Sequence, residues 1–209
     1  MPRSSSALLA LPVVLVGCSP DWLHPAFDTY AADHDRIAVL PLDYTADLRR
    51  LPRDTTAGDV DAQDAETGEV LQEVVGHTLR AGQRRVDVQS AQRTRRALSE
   101  AGLSGDEADP IALAAALGVD AIIVGEVVNT QYLGDPGAIT IEVIAGATGH
   151  EGPTVTDEVD LELSLYDGDT GELLWTCGDF AVLEVTGSPR KAARRLARAC
   201  ASSAPYVSQ

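Results

Sequence analysis

Aromatic residues are scarce in this sequence, and Lys and Arg are half as numerous as Asp and Glu. Phe and Trp occur twice each among 209 residues, so a packed core has to be built from Val, Leu, Ile and Ala. The 16 basic and 32 acidic residues give a formal net charge of −16 at pH 7. This excess of acid argues against a nucleic acid partner, because phosphates require neutralisation by Lys and Arg. It also argues against broad docking on anionic lipid headgroups.

The sequence motifs of catalytic and metal sites are also lacking. There is no G-x-S-x-G turn, no Walker loop and no dinucleotide fingerprint. No two of the four histidines have the spacing of metal ligands. Glu126, in an apolar stretch, is the most notable carboxylate: burial would raise its pKa, although exposure at a strand end is the commoner explanation. We therefore expect no catalytic residues, no metal and no cofactor, and a protein that is not an enzyme.

Long hydrophobic runs are absent beyond the first eighteen residues. Ala7 to Val16 form an apolar run that follows Arg3 and is too short to span a bilayer, which takes a helix of about 20 residues. A short positive segment followed by such a run is typical of an export signal. No second run of about 20 apolar residues exists, so no transmembrane helix is expected after processing.

The residues that end this signal, Leu15-Val16-Gly17-Cys18, resemble the bacterial lipoprotein box. That resemblance implies removal of residues 1–17, diacylation of the Cys18 thiol and, usually, acylation of the new N-terminus. Two or three acyl chains anchor a protein stably, whereas one is marginal. The next residue, Ser19, is not the Asp associated with inner-membrane retention, which favours the outer membrane, facing the periplasm. The alternative is an ordinary cleavable signal with a cysteine at its boundary.

If Cys18 carries lipid, Cys177 and Cys200 remain as an even pair in an oxidising compartment. A disulfide between them would close a loop of about 24 residues and contribute roughly 3 kcal/mol by chain entropy. Two separate buried thiols are the alternative, since the sequence does not show whether the two Cα atoms lie close enough.

The mature chain of 192 residues suits one domain with a tether. Residues 18–34 contain two Pro and no sustained periodicity, which predicts a tether. Its favoured form is an N-terminal arm packed on the domain. The domain is predicted to span residues 35–205.

The first half of this domain alternates strands and helices. The apolar run Arg36–Leu42 predicts a buried strand, and the polar segment 43–68 predicts a loop. Valines at helical spacing predict a helix over about 67–81, followed by a short strand at 84–88.

Capping residues mark two further helices. Ser90 and Gly102 bound the first, and Asp109-Pro110 with Gly118 bound the second. The continuous apolar stretch Ala121–Val128 predicts a central buried strand.

In the second half, apolar and polar residues alternate in three segments, at 138–145, 155–166 and 172–180. The turn 167–171, Asp-Gly-Asp-Thr-Gly, joins the last two segments in an antiparallel hairpin. Ser188-Pro189 begins a final helix that ends near Ser202. The predicted order is β-α-β-α-α-β-β-β-β-α, an α/β fold of three layers with helices packed on a mixed sheet and C-terminal antiparallel hairpins.

Three of these stretches resemble the CsgG/LpoB-like group of bacterial envelope lipoproteins, whose domain is similar to the N-terminal domain of TolB. They are the strand Ile37–Leu42, the helix-strand unit Ala112–Val127 and the hairpin Asp167–Trp175. The resemblance covers roughly residues 35–205 and rests on structural motifs. It implies an accessory, non-catalytic role through protein contacts, as in activators of peptidoglycan synthases.

The group also contains subunits of secretion channels, in which an inserted strand pair crosses the membrane. The only candidate for such an insertion here is Thr130–Val155. Barrel strands need about 9–11 alternating residues and girdles of aromatic residues. Alternation here covers one short strand, and Tyr132 is the lone aromatic residue nearby, so an extended hairpin outside the membrane is favoured and a channel subunit is the alternative.

The final helix concentrates positive charge in an acidic protein. Spacings of three and four place Lys191, Arg194, Arg195 and Arg198 on one face, with Arg190 beside it. One interpretation is a solvated face that pairs with the protein's own acids. The other is a docking face for an acidic partner or an anionic polymer. The expected protein partner is another envelope protein or a second copy of the chain.

Overall fold

The computed structural model describes residues 21–47, 56–82, 85–103, 109–131, 155–184 and 188–207. Cys18, the export signal and the predicted strand at 138–145 lie outside the described residues. So does most of the segment 130–155, on which the channel alternative depends.

Seven strands and five helices make up the described chain. In order they are β1 (Trp22–Leu23), α1 (Phe27–Ala31), β2 (Arg36–Val39), β3 (Asp43–Asp47), α2 (Ala57–Gly82), β4 (Asp87–Val88), α3 (Ala91–Ala101), α4 (Pro110–Leu117), β5 (Ala121–Gln131), β6 (Val155–Asp167), β7 (Leu173–Glu184) and α5 (Pro189–Ser202).

All seven strands belong to one sheet, in the order β1-β7-β6-β5-β2-β4, with β3 also paired to β5. β2 and β3 both pair in parallel with the same edge of β5, one after the other along it. The segment Leu40-Pro41-Leu42 connects the two. From β5 through β6 and β7 to β1, each strand is antiparallel to its neighbour. The predicted α/β class, with a mixed sheet and antiparallel C-terminal strands, is confirmed.

Helices cover both faces of the sheet and divide the core in two. α2 and α5 pack on one face, where Leu71, Ile123, Leu163 and Leu196 are buried. α3 and α4 pack on part of the other face, over a smaller cluster that includes Ile122. As the composition predicts, Val, Leu, Ile and Ala supply most of both clusters.

The predicted caps of α3 and α4 are present. The Ser90 side chain accepts a hydrogen bond from the Arg93 amide, and Asp109 caps α4 in the same way. Gly102 and Gly118 end these helices with φ values of 65° and 64°, in the left-handed region that glycine adopts without strain.

The loop predicted for residues 43–68 is wrong: this segment contains β3 and the first three turns of α2. α2 begins with reciprocal capping, in which the side chains of Thr56 and Asp59 each accept a hydrogen bond from the other's backbone amide. Further along, an Asp64 carboxylate oxygen accepts from the Ala46 amide at 3.0 Å, which joins α2 to the edge strand β3. The first turns of α2 are thus held by polar contacts, whereas most helices are held by the packing of an apolar face.

Residues 21–34 form the packed arm and not a free tether. The Asp21 amide donates to the Thr176 carbonyl at 3.0 Å, β1 pairs with β7, and Phe27 is buried in the core. The predicted strand at 84–88 is shorter than expected, since only Asp87–Val88 pairs with β2.

Candidate interaction surfaces

Small residues bring α5 close to the sheet. Its inward face consists of alanines with one leucine and one cysteine, and all are buried. Side chains of this size let the helix backbone approach β6 and β7 closely. Between Arg190 and Arg198 every exposed residue of the helix is basic, so the local sequence makes one side core and the other side a cationic surface.

A disulfide fixes α5 to the sheet. Cys177 on β7 is bonded to Cys200 near the end of α5, with Cα atoms 5.7 Å apart. Both residues are fully buried. The bond joins two consecutive elements through residues 23 positions apart, and it restrains the helix that carries the basic residues.

Lys191, Arg194, Arg195 and Arg198, here called the basic face, are all exposed. Within the described part of the chain, none of them forms an ion pair with a carboxylate. The interpretation that these cations pair with the protein's own acids therefore finds no support among the described residues. The four charges are presented to solvent on a helix that is rigidly held.

Among the described helices, α3 and α4 pack on the opposite face of the sheet, over β2 and the adjoining ends of β5 and β6. No other described helix covers the rest of that face. Asp43, Glu126 and Glu162 lie side by side there on three neighbouring strands, in direct cross-strand register. All three are exposed. We call them the acidic row.

The acidic row is costly for the isolated domain, because like charges directly opposite each other destabilise a sheet. No Lys or Arg of the described chain pairs with it. Nearby, partial burial and then the charge of Glu158 raise the pKa of Asp160. Glu126 is exposed because this side of its strand is uncovered, not because the strand ends there.

A groove of about 1120 Å³ leads from the acidic row around the β2–β3 connection to α2. Its described lining includes many carboxylates and no His, Cys, Lys or Arg. It therefore offers no imidazole, thiol or amine as a nucleophile or base. Across the described residues, no three His, Cys, Asp or Glu side chains are grouped to hold a metal ion.

One buried polar network was not predicted. His34 Nε2 bonds Asp167 Oδ2 at 2.9 Å, and His34 Nδ1 bonds the Tyr206 hydroxyl. Asp167 Oδ1 also accepts from the amide and the hydroxyl of Thr170, each at 2.7 Å. The network joins the N-terminal arm, the β6–β7 turn and the C-terminal tail.

The protonation states of this network favour a structural clamp. Burial raises the pKa of Asp167, but bonds from Thr170 and His34 outweigh it and lower that pKa below its ordinary value of 3.8. Burial, then the charges of Asp167 and Asp120, raise the pKa of Tyr206. Tyr206 therefore keeps its proton at neutral pH and does not become a nucleophile.

Large apolar side chains are exposed along the edge formed by β1 and β7. Trp22, Leu23, Phe180 and Val182 have exposed fractions of 41%, 44%, 61% and 51%. By strand alternation from the Trp22–Thr176 pair, Trp22, Phe180 and Val182 lie on the same side as the acidic row. We call these four residues the apolar edge. No helix in the described chain is long and apolar enough to cross a membrane.

The sequence signals for these surfaces differ. The basic face is visible as a run of Lys and Arg. The acids of β6 are visible as every second residue of Glu158 to Glu162, a pattern that sequence analysis used only to predict a strand. Nothing local to His34 or Tyr206 indicates their contact, since the two are 172 residues apart.

Neither a protein-family model nor a curated protein matches the chain. Several solved structures are similar to it. A PelC dodecamer from Paraburkholderia phytofirmans has 15% identity, a TM-score of 0.46, and coverage of 84% of this chain and 90% of its own.

Two others are a lipoprotein from Neisseria meningitidis and the C-terminal domain of LpoB from Salmonella enterica. The first has 17% identity and a TM-score of 0.38, covering 73% of this chain and 84% of its own. The second has 13% identity and a TM-score of 0.36, covering 77% of this chain and 93% of its own. LpoB belongs to the group that the sequence motifs resemble, but with these scores no family or function follows from the comparison.

Proposed function

We propose that this protein is a lipid-anchored, non-catalytic accessory protein of the bacterial envelope that acts through protein contacts. Cys18 holds it in the outer membrane, and the folded domain faces the periplasm. The basic face of α5 binds an acidic surface of a partner. The lipoprotein box supports the location, and the sequence motifs of the CsgG/LpoB-like group support an accessory role.

The observation that carries the docking role is the exposed basic face, whose cations pair with no carboxylate among the described residues. Four cations are held on a helix whose other side is buried and joined to β7 by the Cys177–Cys200 disulfide. Preorganised side chains lose less conformational freedom when they bind, so the restraint on this helix favours association. In a protein of net charge −16, a uniformly positive face also steers an acidic partner to one location on the surface.

The test is crosslinking of the lipidated protein in its native membranes, followed by affinity purification and size analysis. Lys191, Arg194, Arg195 and Arg198 are replaced together by Gln. Exposed ion pairs contribute about 0.2–1 kcal/mol each, so losing four should reduce the crosslinked partner roughly tenfold. Circular dichroism should show an unchanged fold, because all four side chains are exposed.

A matched control replaces exposed basic residues elsewhere: Arg80, Arg85 and Arg93 to Gln. These lie on α2, before β4 and on α3, and their loss should leave the crosslinked partner unchanged. Equal loss in both variants would mean that net charge alone drives association. Recovery of the partner at the wild-type level from the α5 variant, or unfolding of that variant, would refute the docking role.

A further inference from the structure

We propose that the apolar edge lies in the headgroup region of a zwitterionic membrane and so orients the domain on its lipid anchor. The edge consists of Trp22, Leu23, Phe180 and Val182. The inference rests on the proposed function in one respect, the lipidation of Cys18. It adds a second membrane contact, made by the folded domain.

The length of chain between anchor and fold is the first argument. Asp21 is already attached to the sheet, since its amide donates to Thr176 and its carboxylate accepts from the Gly178 amide. Only two residues separate Asp21 from Cys18. Consecutive Cα atoms are 3.8 Å apart, so the two Cα atoms are at most about 11 Å apart. An acylated Cys18 therefore holds this edge of the sheet beside the bilayer.

The direction of β1 is the second argument. β1 is antiparallel to β7, with Trp22 opposite Thr176. Followed towards the N-terminus, β1 therefore leads along β7 past Gly178 in the direction of Phe180 and Val182. The end of β1 nearer to Cys18 in the sequence is therefore the end that points towards these two side chains.

The chemistry of the edge is the third argument. The chain has two Phe and two Trp, and one of each is exposed here. Single exposed apolar residues are ordinary on protein surfaces, but Trp22, Phe180 and Val182 share one side of this edge, with Leu23 beside them on the other side. Grouped exposed apolar side chains of this kind mark an interaction surface. Trp and other aromatic side chains are enriched at membrane interfaces, where an apolar ring meets a wet polar region.

The neighbouring charges indicate the kind of lipid. On β6, Asp160 is opposite Phe180 and Glu158 is opposite Val182. Carboxylates next to the patch are repelled by anionic headgroups, which favours zwitterionic lipid. α5 packs on the opposite face of the sheet, so a domain docked by this edge keeps its basic face in the aqueous phase.

Trp22 is a built-in probe for this contact, because Trp175 is only 1% exposed. The lipidated full-length mature protein is reconstituted in phosphatidylcholine vesicles whose acyl chains are brominated near the carbonyl. Bromine should quench a large part of the Trp22 fluorescence, and a Trp22→Phe variant gives the background from Trp175. Vesicles without bromine give the unquenched signal, and flotation of the vesicles reports anchoring separately.

The variant Phe180→Ser/Val182→Ser should still float with the vesicles but lose at least two thirds of the Trp22 quenching. The control is Ile111→Ser, which removes the remaining large exposed apolar side chain of the described residues, 39% exposed on α4. Its quenching should equal that of the wild type. Replacing a third of the phosphatidylcholine by phosphatidylglycerol should weaken wild-type quenching.

Wild-type protein that floats without quenching of Trp22 would overturn the proposal while leaving the lipid anchor intact. Crosslinks between copies through the apolar edge, without quenching, would assign this surface to self-association and also overturn it. Failure to float would refute the lipid anchor of the proposed function and the present inference with it. The wild-type measurement does not depend on the double variant, so it decides the outcome even if that variant unfolds.

Discussion

Replacing Asp167 by alanine should lower the free energy of unfolding by about 3–5 kcal/mol, because a buried donor loses its acceptor and hydrogen bonds to a charged carboxylate are lost. Asp167 is 5% exposed and bonds His34 through one oxygen and the Thr170 amide and hydroxyl through the other. The carboxylate thus connects the N-terminal arm to the β6–β7 turn. Through His34 it also holds Tyr206 of the C-terminal tail.

The main part of this cost comes from His34. With alanine at 167, the buried His34 Nε2–H has no acceptor, which costs about 1–3 kcal/mol, and the charged hydrogen bond is lost as well. Thr170 is exposed, so its groups are rehydrated and contribute less. For a domain of this size the total corresponds to a fall in Tm of about 6–20 °C.

Urea denaturation followed by circular dichroism measures the loss. Asp169→Ala is the control, because Asp169 lies in the same turn but is exposed and bonds Asp167 through its backbone amide only. We expect that control to stay within about 0.5 kcal/mol of the wild type. A loss below 1 kcal/mol for Asp167→Ala, or losses of equal size in the two variants, would refute the clamp.

The pH dependence gives an independent check on the same residue. The pKa of Asp167 in the folded state lies below the ordinary value of 3.8, so its ionised form stabilises the fold above that pH. The stabilisation is lost as pH falls below 3.8 and through the folded pKa. The difference in unfolding free energy between wild type and Asp167→Asn should therefore shrink with acidification, and a constant difference would contradict this assignment.

Two further predictions concern the cysteines. Replacing Cys177 and Cys200 together by Ala should lower the free energy of unfolding by about 3 kcal/mol, as loop entropy predicts; a reducing agent should destabilise the wild type by a similar amount and leave the double variant unaffected. Cys18→Ala should move the protein out of the membrane fraction or leave its signal uncleaved, with the fold unchanged, as immunoblots of cell fractions would show. An unchanged membrane fraction would contradict the lipid anchor.

The elements that sequence analysis located correctly are those with local causes. α3 and α4 are bounded by caps that act within a few residues, Ser90 with Gly102 and Asp109 with Gly118. The antiparallel strands β6 and β7 follow from alternation, which depends only on having one buried and one open face. The basic face of α5 is equally local, because helical spacing alone places its residues together.

The first turns of α2 were missed because they have no apolar stripe from which to predict a helix. A local signal was present in Thr56 and Asp59, whose reciprocal capping marks a helix start. β3 is a different case, since only Tyr44 and Ala46 of residues 43–47 pack on the core, too short an alternation to predict a strand. Its strand form comes from pairing with β5. No neighbouring residue indicates that partner.

Sequence by itself therefore determined the α/β class, the capped helices, the antiparallel C-terminal strands and the cationic surface, because caps, alternation and helical periodicity act over a few residues. Tertiary structure alone decided which surfaces meet. It aligned Asp43, Glu126 and Glu162 across three strands, joined His34 to Asp167 over 133 residues, and attached the arm at Asp21 beside Gly178. These contacts depend on strand order and register, which are set by the packing of the whole domain.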